Sequence, residues 1–114
     1  MYDAMAAAAA TNVTFVVLDR PNPITGLDAF GPVLNESFIT SYVGRRAIAQ
    51  AHGMTVGELS KLFVGEGWIQ EASNGSSLNL EVVIMKNWSA QCHSIKPVCR
   101  GYFLAPTCQP STQQ

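Results

Sequence analysis

Charge is scarce in this sequence. Only 13% of its 114 residues are Asp, Glu, Lys or Arg, about half of the roughly 25% usual in globular domains. Seven basic residues face eight acidic ones, and neither sign is gathered into a run. The basic stripe that marks a nucleic-acid-binding surface is missing, and so is an acidic tail. No nucleic-acid partner is expected. Long apolar runs are missing too. None approaches the roughly 20 residues that cross a bilayer as a helix, so no membrane partner is expected either. The five alanines at 6–10 are too weakly apolar for a signal-peptide core, and Asp3 precedes them where positive charge belongs. No targeting segment is read. Cysteine is absent until Cys92, after which Cys99 and Cys108 follow. Cys92 and His93 with those two match no compact ligand spacing, so neither a metal nor a cofactor is expected.

What is present reads as α/β. Residues 2–10 are alanine-rich and predict a helix, because alanine is the best helix former. Asn12 lies beyond its end, where a turn is needed. The uncharged, β-branched and aromatic run at 14–18 predicts a strand buried on both faces, with neighbours on either side. Helix, tight turn and buried strand make the repeat of a doubly wound sheet. Residues 25–34 carry Gly26, Gly31 and Pro32 and read as loop. Residues 36–44 read as a short helical turn.

Further on, Thr55-Val56-Gly57-Glu58 is a capping box, in which Thr55 and Glu58 each satisfy the other's backbone N–H. Val56, Leu59, Leu62 and Phe63 follow at helical spacing, and Gly65 is expected to close the helix. Glu58 is structural on this reading. Residues 66–77 read as a polar connection with a turn at Asn74-Gly75. Residues 80–85 predict a second strand.

The chemistry gathers where the first strand ends, in Leu18-Asp19-Arg20-Pro21-Asn22-Pro23-Ile24-Thr25-Gly26. Pro21 and Pro23 fix their own φ and push Arg20 and Asn22 out of the helical region. A stiff loop then holds an acid, a guanidinium and an amide at the C-terminal end of a strand, the edge at which open α/β sheets receive ligands. The plainer alternative is that Asp19 and Arg20 pair with each other or cap a neighbouring helix. His52 has the same two readings, a structural hydrogen-bonding residue or a group facing the cleft. Gly53 beside it allows a turn that other residues disfavour.

Three motifs in series carry a resemblance. They are Leu18 to Gly26, then Gly31-Pro32-Val33-Leu34, then His52-Gly53-Met54-Thr55-Val56-Gly57-Glu58-Leu59 with Leu62-Phe63. With residues 41–44 they resemble the peptidoglycan exo-β-N-acetylmuramidase (NamZ-type) family, over most of residues 2–88. The resemblance implies a glycoside hydrolase that releases terminal N-acetylmuramic acid. It implies a fragment spanning the end of a Rossmann-like domain (1–34) and the start of a second α/β domain (35–90). An exported family is implied by the cell-wall substrate. Asp19, Arg20, Asn22 and His52 are then expected to bind a muramic-acid-containing sugar, with Arg20 meeting the lactyl carboxylate. The family's Pro-Glu-His-Gly and Gly-Arg-Gly-Thr motifs do not occur in this sequence. No catalytic residue is therefore assigned, and the chain is expected to be inactive alone. Phe30 stands where the family usually has an acid before Gly-Pro.

After Trp88 the motif series ends. Residues 96–114, read one codon phase over, permit Thr-Gly-Leu-Pro-Trp and then Pro-Ser-Pro-Asn-Met-Pro-Thr, similar to the family's continuation. The expectation is a tail at 91–114 that is out of frame and not a domain. Two other functions stay open at this point: a non-catalytic carbohydrate-binding or interaction module, and a non-functional product of a broken gene.

Overall fold

The computed structural model describes residues 1–24, 26, 28–39, 44–86, 88 and 90. The tail expectation for 91–114 lies outside these, as does the segment 40–43. The described chain is α/β. Its elements run α1 (Tyr2–Ala10), β1 (Phe15–Leu18), β2 (Phe30–Val33), a 3₁₀ turn (Glu36–Phe38), β3 (Ala49–Ala51), α2 (Val56–Gly65), α3 (Trp68–Ala72) and β4 (Leu80–Val83).

Strand β1 pairs in parallel with β4, Phe15 opposite Leu80 and Val17 opposite Val82. Alternation then sorts their side chains. Phe15, Val17, Leu80 and Val82 turn toward the helices, and Val17 is buried. Val16, Leu18 and Val83 turn the other way and are exposed, Leu18 by 68%. The expected burial on both faces is corrected: among the described residues, helices cover only one face of this pair. The core lies on that face. Met5 and Ala9 of α1 meet Phe63 of α2 and Ile69 of α3, and Phe63 stands edge-on to Tyr2 at 5.4 Å between ring centroids.

Two expected connections are ordered elements. Residues 30–33 form β2, antiparallel to β3, with Phe30 opposite Ala51 and Val33 opposite Ala49. Gly31 and Pro32 read as breakers, yet an edge strand with an irregular register accepts both. Gly31 sits at φ 90°. Residues 68–72 form α3, held by long-range contacts, since Ile69 is 1% exposed. Asn74 and Gly75 do turn at positive φ. The residue that takes positive φ after α2 is Gly67, not Gly65.

Each two-stranded sheet takes one strand from either side of residue 34, so the segments 1–34 and 35–90 are joined through both. Arginines add to the join. Arg46 donates to the Tyr2 hydroxyl at 2.7 Å and to Glu71 Oε2 at 2.8 Å. Its guanidinium lies 5.4 and 5.2 Å from the ring centroids of Tyr2 and Trp68. Burial opposes the charge on Arg46. The hydrogen bonds to Tyr2 and Glu71 outweigh it and raise the pKa above the ordinary arginine value. Arg45 pairs with Asp3 at 3.0 Å on the surface.

Candidate functional site

Helix α2 begins against the end of β1, and its first N–H groups are all answered. An α-helix leaves its first N–H groups without intrahelical partners. Here Val56 donates to Arg20 O at 3.0 Å. Gly57 donates to Asp19 Oδ1 at 2.7 Å. Glu58 donates to Thr55 Oγ1 at 3.1 Å, and Thr55 N–H donates back to Glu58 Oε2 at 2.8 Å. The capping box foreseen in the sequence is present, and Asp19 extends it from another element. A carboxylate beside a helix N-terminus also meets the positive end of the macrodipole.

Gly57 makes this approach possible. A Cβ there would stand 2.6 Å from Val82 Cγ1 and 2.9 Å from Asp19 Cγ. The helix can seat its first turn on the β1–β4 pair only without that atom. The buried stripe of α2 accordingly runs Gly57, Ser60, Phe63. Ser60 Oγ donates to Val56 O at 2.7 Å.

A cavity of about 240 Å³ opens between this first turn and the C-terminal ends of β1 and β4. It is lined by Asp19, Glu58 and Lys61 on its polar side, and by Val82, Met85 and Trp88 among its apolar neighbours. The loop after β1 packs back on the chain after β4, where a Cβ at Gly26 would meet Ala90 O at 2.9 Å. Trp88 Nε1 is buried and has no hydrogen-bond partner among the described residues.

Of the four residues singled out in the sequence, Asp19 lines this cavity; Arg20, Asn22 and His52 are not among its described lining. Asp19 caps a neighbouring helix, as one half of the plainer alternative foresaw, and Oδ1 also accepts from the Arg20 backbone N–H at 2.9 Å. The Arg20 side chain is exposed and has no hydrogen bond or ion pair among the described residues. Asn22 Oδ1 accepts from Ile24 N–H at 2.9 Å, closing an Asx turn. His52 Nδ1 accepts from Met54 N–H at 3.2 Å, which leaves Nε2 to carry the proton of the neutral ring. His52 precedes Val56 by four residues, so its Cα lies within about 14 Å of that residue's Cα. Gly53, at φ 65°, backs onto the Asp28 backbone, 2.8 Å from where its Cβ would be. Sequence reasoning did not single out Lys61. No local signal marks it, because only the parallel pairing of β1 with β4 puts it on a cavity. Among the described residues no group of three or more His, Cys, Asp or Glu side chains could hold a metal. No described helix is long and apolar enough to cross a membrane.

Residues 1–100 match the family profile described as exo-beta-N-acetylmuramidase NamZ, N-terminal. The chain belongs to that family. The match runs past Trp88, where the motif series read from the residues ends. Among NamZ-type relatives, the chain is 44% identical over 85 residues to peptidoglycan beta-N-acetylmuramidase NamZ of Bacillus subtilis (strain 168). That alignment takes in 75% of this chain and 19% of the relative. Two DUF1343 family proteins of Bacteroides fragilis NCTC 9343 share the fold in solved structures. One has a TM-score of 0.67 at 42% identity, over 77% of this chain and 21% of its own. The other has a TM-score of 0.70 at 34% identity, over 82% and 25%. The chain thus spans about a fifth of the length of its NamZ relative.

Proposed function

We propose that this chain supplies part of the sugar-binding edge of a peptidoglycan-directed exo-β-N-acetylmuramidase, and that alone it hydrolyses nothing. The observation that carries the reading is the position of the cavity. It lies at the C-terminal ends of two parallel strands, where open α/β sheets receive their ligands, in a chain of a muramidase family. Asp19 uses Oδ1 on α2 and keeps Oδ2 for a sugar hydroxyl. On this reading Arg20 and Asn22, which follow Asp19 on its loop, and His52, four residues before Val56, offer a guanidinium, an amide N–H₂ and an imidazole N–H to the part of a muramic-acid-containing sugar that projects from the cavity.

Hydrolysis is a separate matter. Glycosidases of the usual kind place two carboxyl groups about the scissile bond. The two carboxylates on this cavity each hold a backbone N–H of the α2 cap, and moving protons through them would disturb that cap. Missing a positioned general acid typically costs about a hundredfold to ten-thousandfold in rate. The same engagement favours a second reading, a module that binds the sugar without cleaving it. A chromogenic muramic acid glycoside tests the first claim: the 114-residue chain should release no chromophore above the buffer rate. Turnover that His52→Ala abolishes would put the catalytic group inside this chain and overturn the proposal.

A further inference from the structure

A third polar side chain lines the cavity beside Asp19 and Glu58. Lys61 lies one turn along α2 from Glu58 and lines the cavity with it. A Glu and a Lys three apart on a helix would ordinarily be neighbours, but Glu58 turns back to Thr55 N–H. The Lys61 ammonium makes no hydrogen bond or ion pair with any described residue. Helical side chains lean toward the N-terminus, which carries Lys61 toward the cavity. Val82, Ile84, Met85 and Trp88 line the same cavity and supply its apolar part, with one indole. Asp19 Oδ2 and Glu58 Oε1 are the remaining acceptors.

These groups together describe a ligand. Hydroxyls suit the two carboxylate oxygens, and an apolar ring face suits the Trp88 wall. The unengaged ammonium suits an acid group, which an uncharged hexose does not offer. The cavity, about 240 Å³ in volume, is of a size to take one sugar ring. We infer that Lys61 is the specificity-determining residue of this cavity, pairing with the carboxylate of a sugar acid whose ring lies against Trp88. The assignment moves the carboxylate from Arg20, which lies outside the described lining, to Lys61, and it rests on the reading that the chain binds a muramic-acid-containing sugar.

Titration of the 114-residue chain with N-acetylmuramic acid and with N-acetylglucosamine, the same ring without the lactyl acid, separates the two claims. The chain should bind the acid more tightly. Lys61→Met should weaken the acid about tenfold, the scale of a charge-assisted hydrogen bond, and leave N-acetylglucosamine unchanged. Lys61→Arg should keep most of the preference, and Arg20→Met should weaken the two sugars alike, so that the preference stays. Lys61 is exposed, so these variants should melt like the parent. An unchanged preference in Lys61→Met, or its loss in Arg20→Met, would overturn the assignment to Lys61 while the sugar-binding reading stood. Binding of neither sugar by the parent chain would overturn that reading and the inference with it.

Discussion

At the scale of single residues, two glycines of one helix make opposite predictions. Replacing glycine by alanine inside a helix ordinarily gains about 1 kcal/mol from propensity. Gly65 is the last residue of α2 and a Cβ there meets nothing within 4 Å. Gly65→Ala should therefore raise the melting temperature, by the equivalent of about 0.4–1 kcal/mol. Gly57→Ala carries the same propensity gain, but its Cβ would fall 2.6 Å from Val82 and 2.9 Å from Asp19. Overpacking of that kind costs about 1–3 kcal/mol. The helix can relieve it only by lifting off β4, which also stretches the 2.7 Å bond to Asp19. Gly57→Ala should lower the melting temperature, and a denaturation series on both variants checks the pair. The sequence named Asp19 and offered its capping role as the plainer alternative. It could not say that Gly57 is the donor, because 38 residues separate them.

At the scale of elements, what was legible was local. The alanine run of α1 and the capping box of α2 each state their structure within a few residues, and both are found where expected. Helix α3 is only five residues long, below the length at which periodicity speaks. It is held instead by Ile69 in the core and by Arg46 against the Trp68 carbonyl and Glu71. Strand β2 was hidden by Gly31 and Pro32, signals that exclude a central strand but not an edge, and β3, the three residues Ala49–Ala51, is too short for alternation to show. For β1 the residue types were right and the burial was not, since an apolar run does not say how many faces are covered. That error has a test. Val17→Ala removes two buried methyls and should cost about 1.6 kcal/mol. Leu18→Lys, at a site 68% exposed, should stay within about 0.5 kcal/mol of the parent. Equal losses at the two positions, measured by urea unfolding, would show that the outer face is covered after all.

At the scale of the whole molecule, the site depends on contacts far apart in the chain. The cavity exists because β4 lies beside β1 across more than sixty residues, which no local signal announces. Arg46 is the main polar tie between the body and the segment that leads through β3 to His52. Exposed ion pairs such as Arg45–Asp3 are worth about 0–1 kcal/mol. Arg46 adds two ring faces and hydrogen bonds to Tyr2 and Trp68, so Arg46→Ala should destabilise the chain more than Arg45→Ala in the same thermal melt. Its guanidinium stays charged, so the difference should be flat between about pH 5 and pH 9.

The central claim is that these residues form a working sugar-binding edge of a peptidoglycan muramidase. It is tested most directly by transplanting residues 1–88 into the Bacillus subtilis relative in place of the aligned segment, and measuring release of N-acetylmuramic acid from peptidoglycan fragments. The account predicts that the chimera releases the sugar and that Lys61→Met in it raises KM more than it lowers kcat. A chimera that folds, melts cooperatively and releases no N-acetylmuramic acid would contradict it.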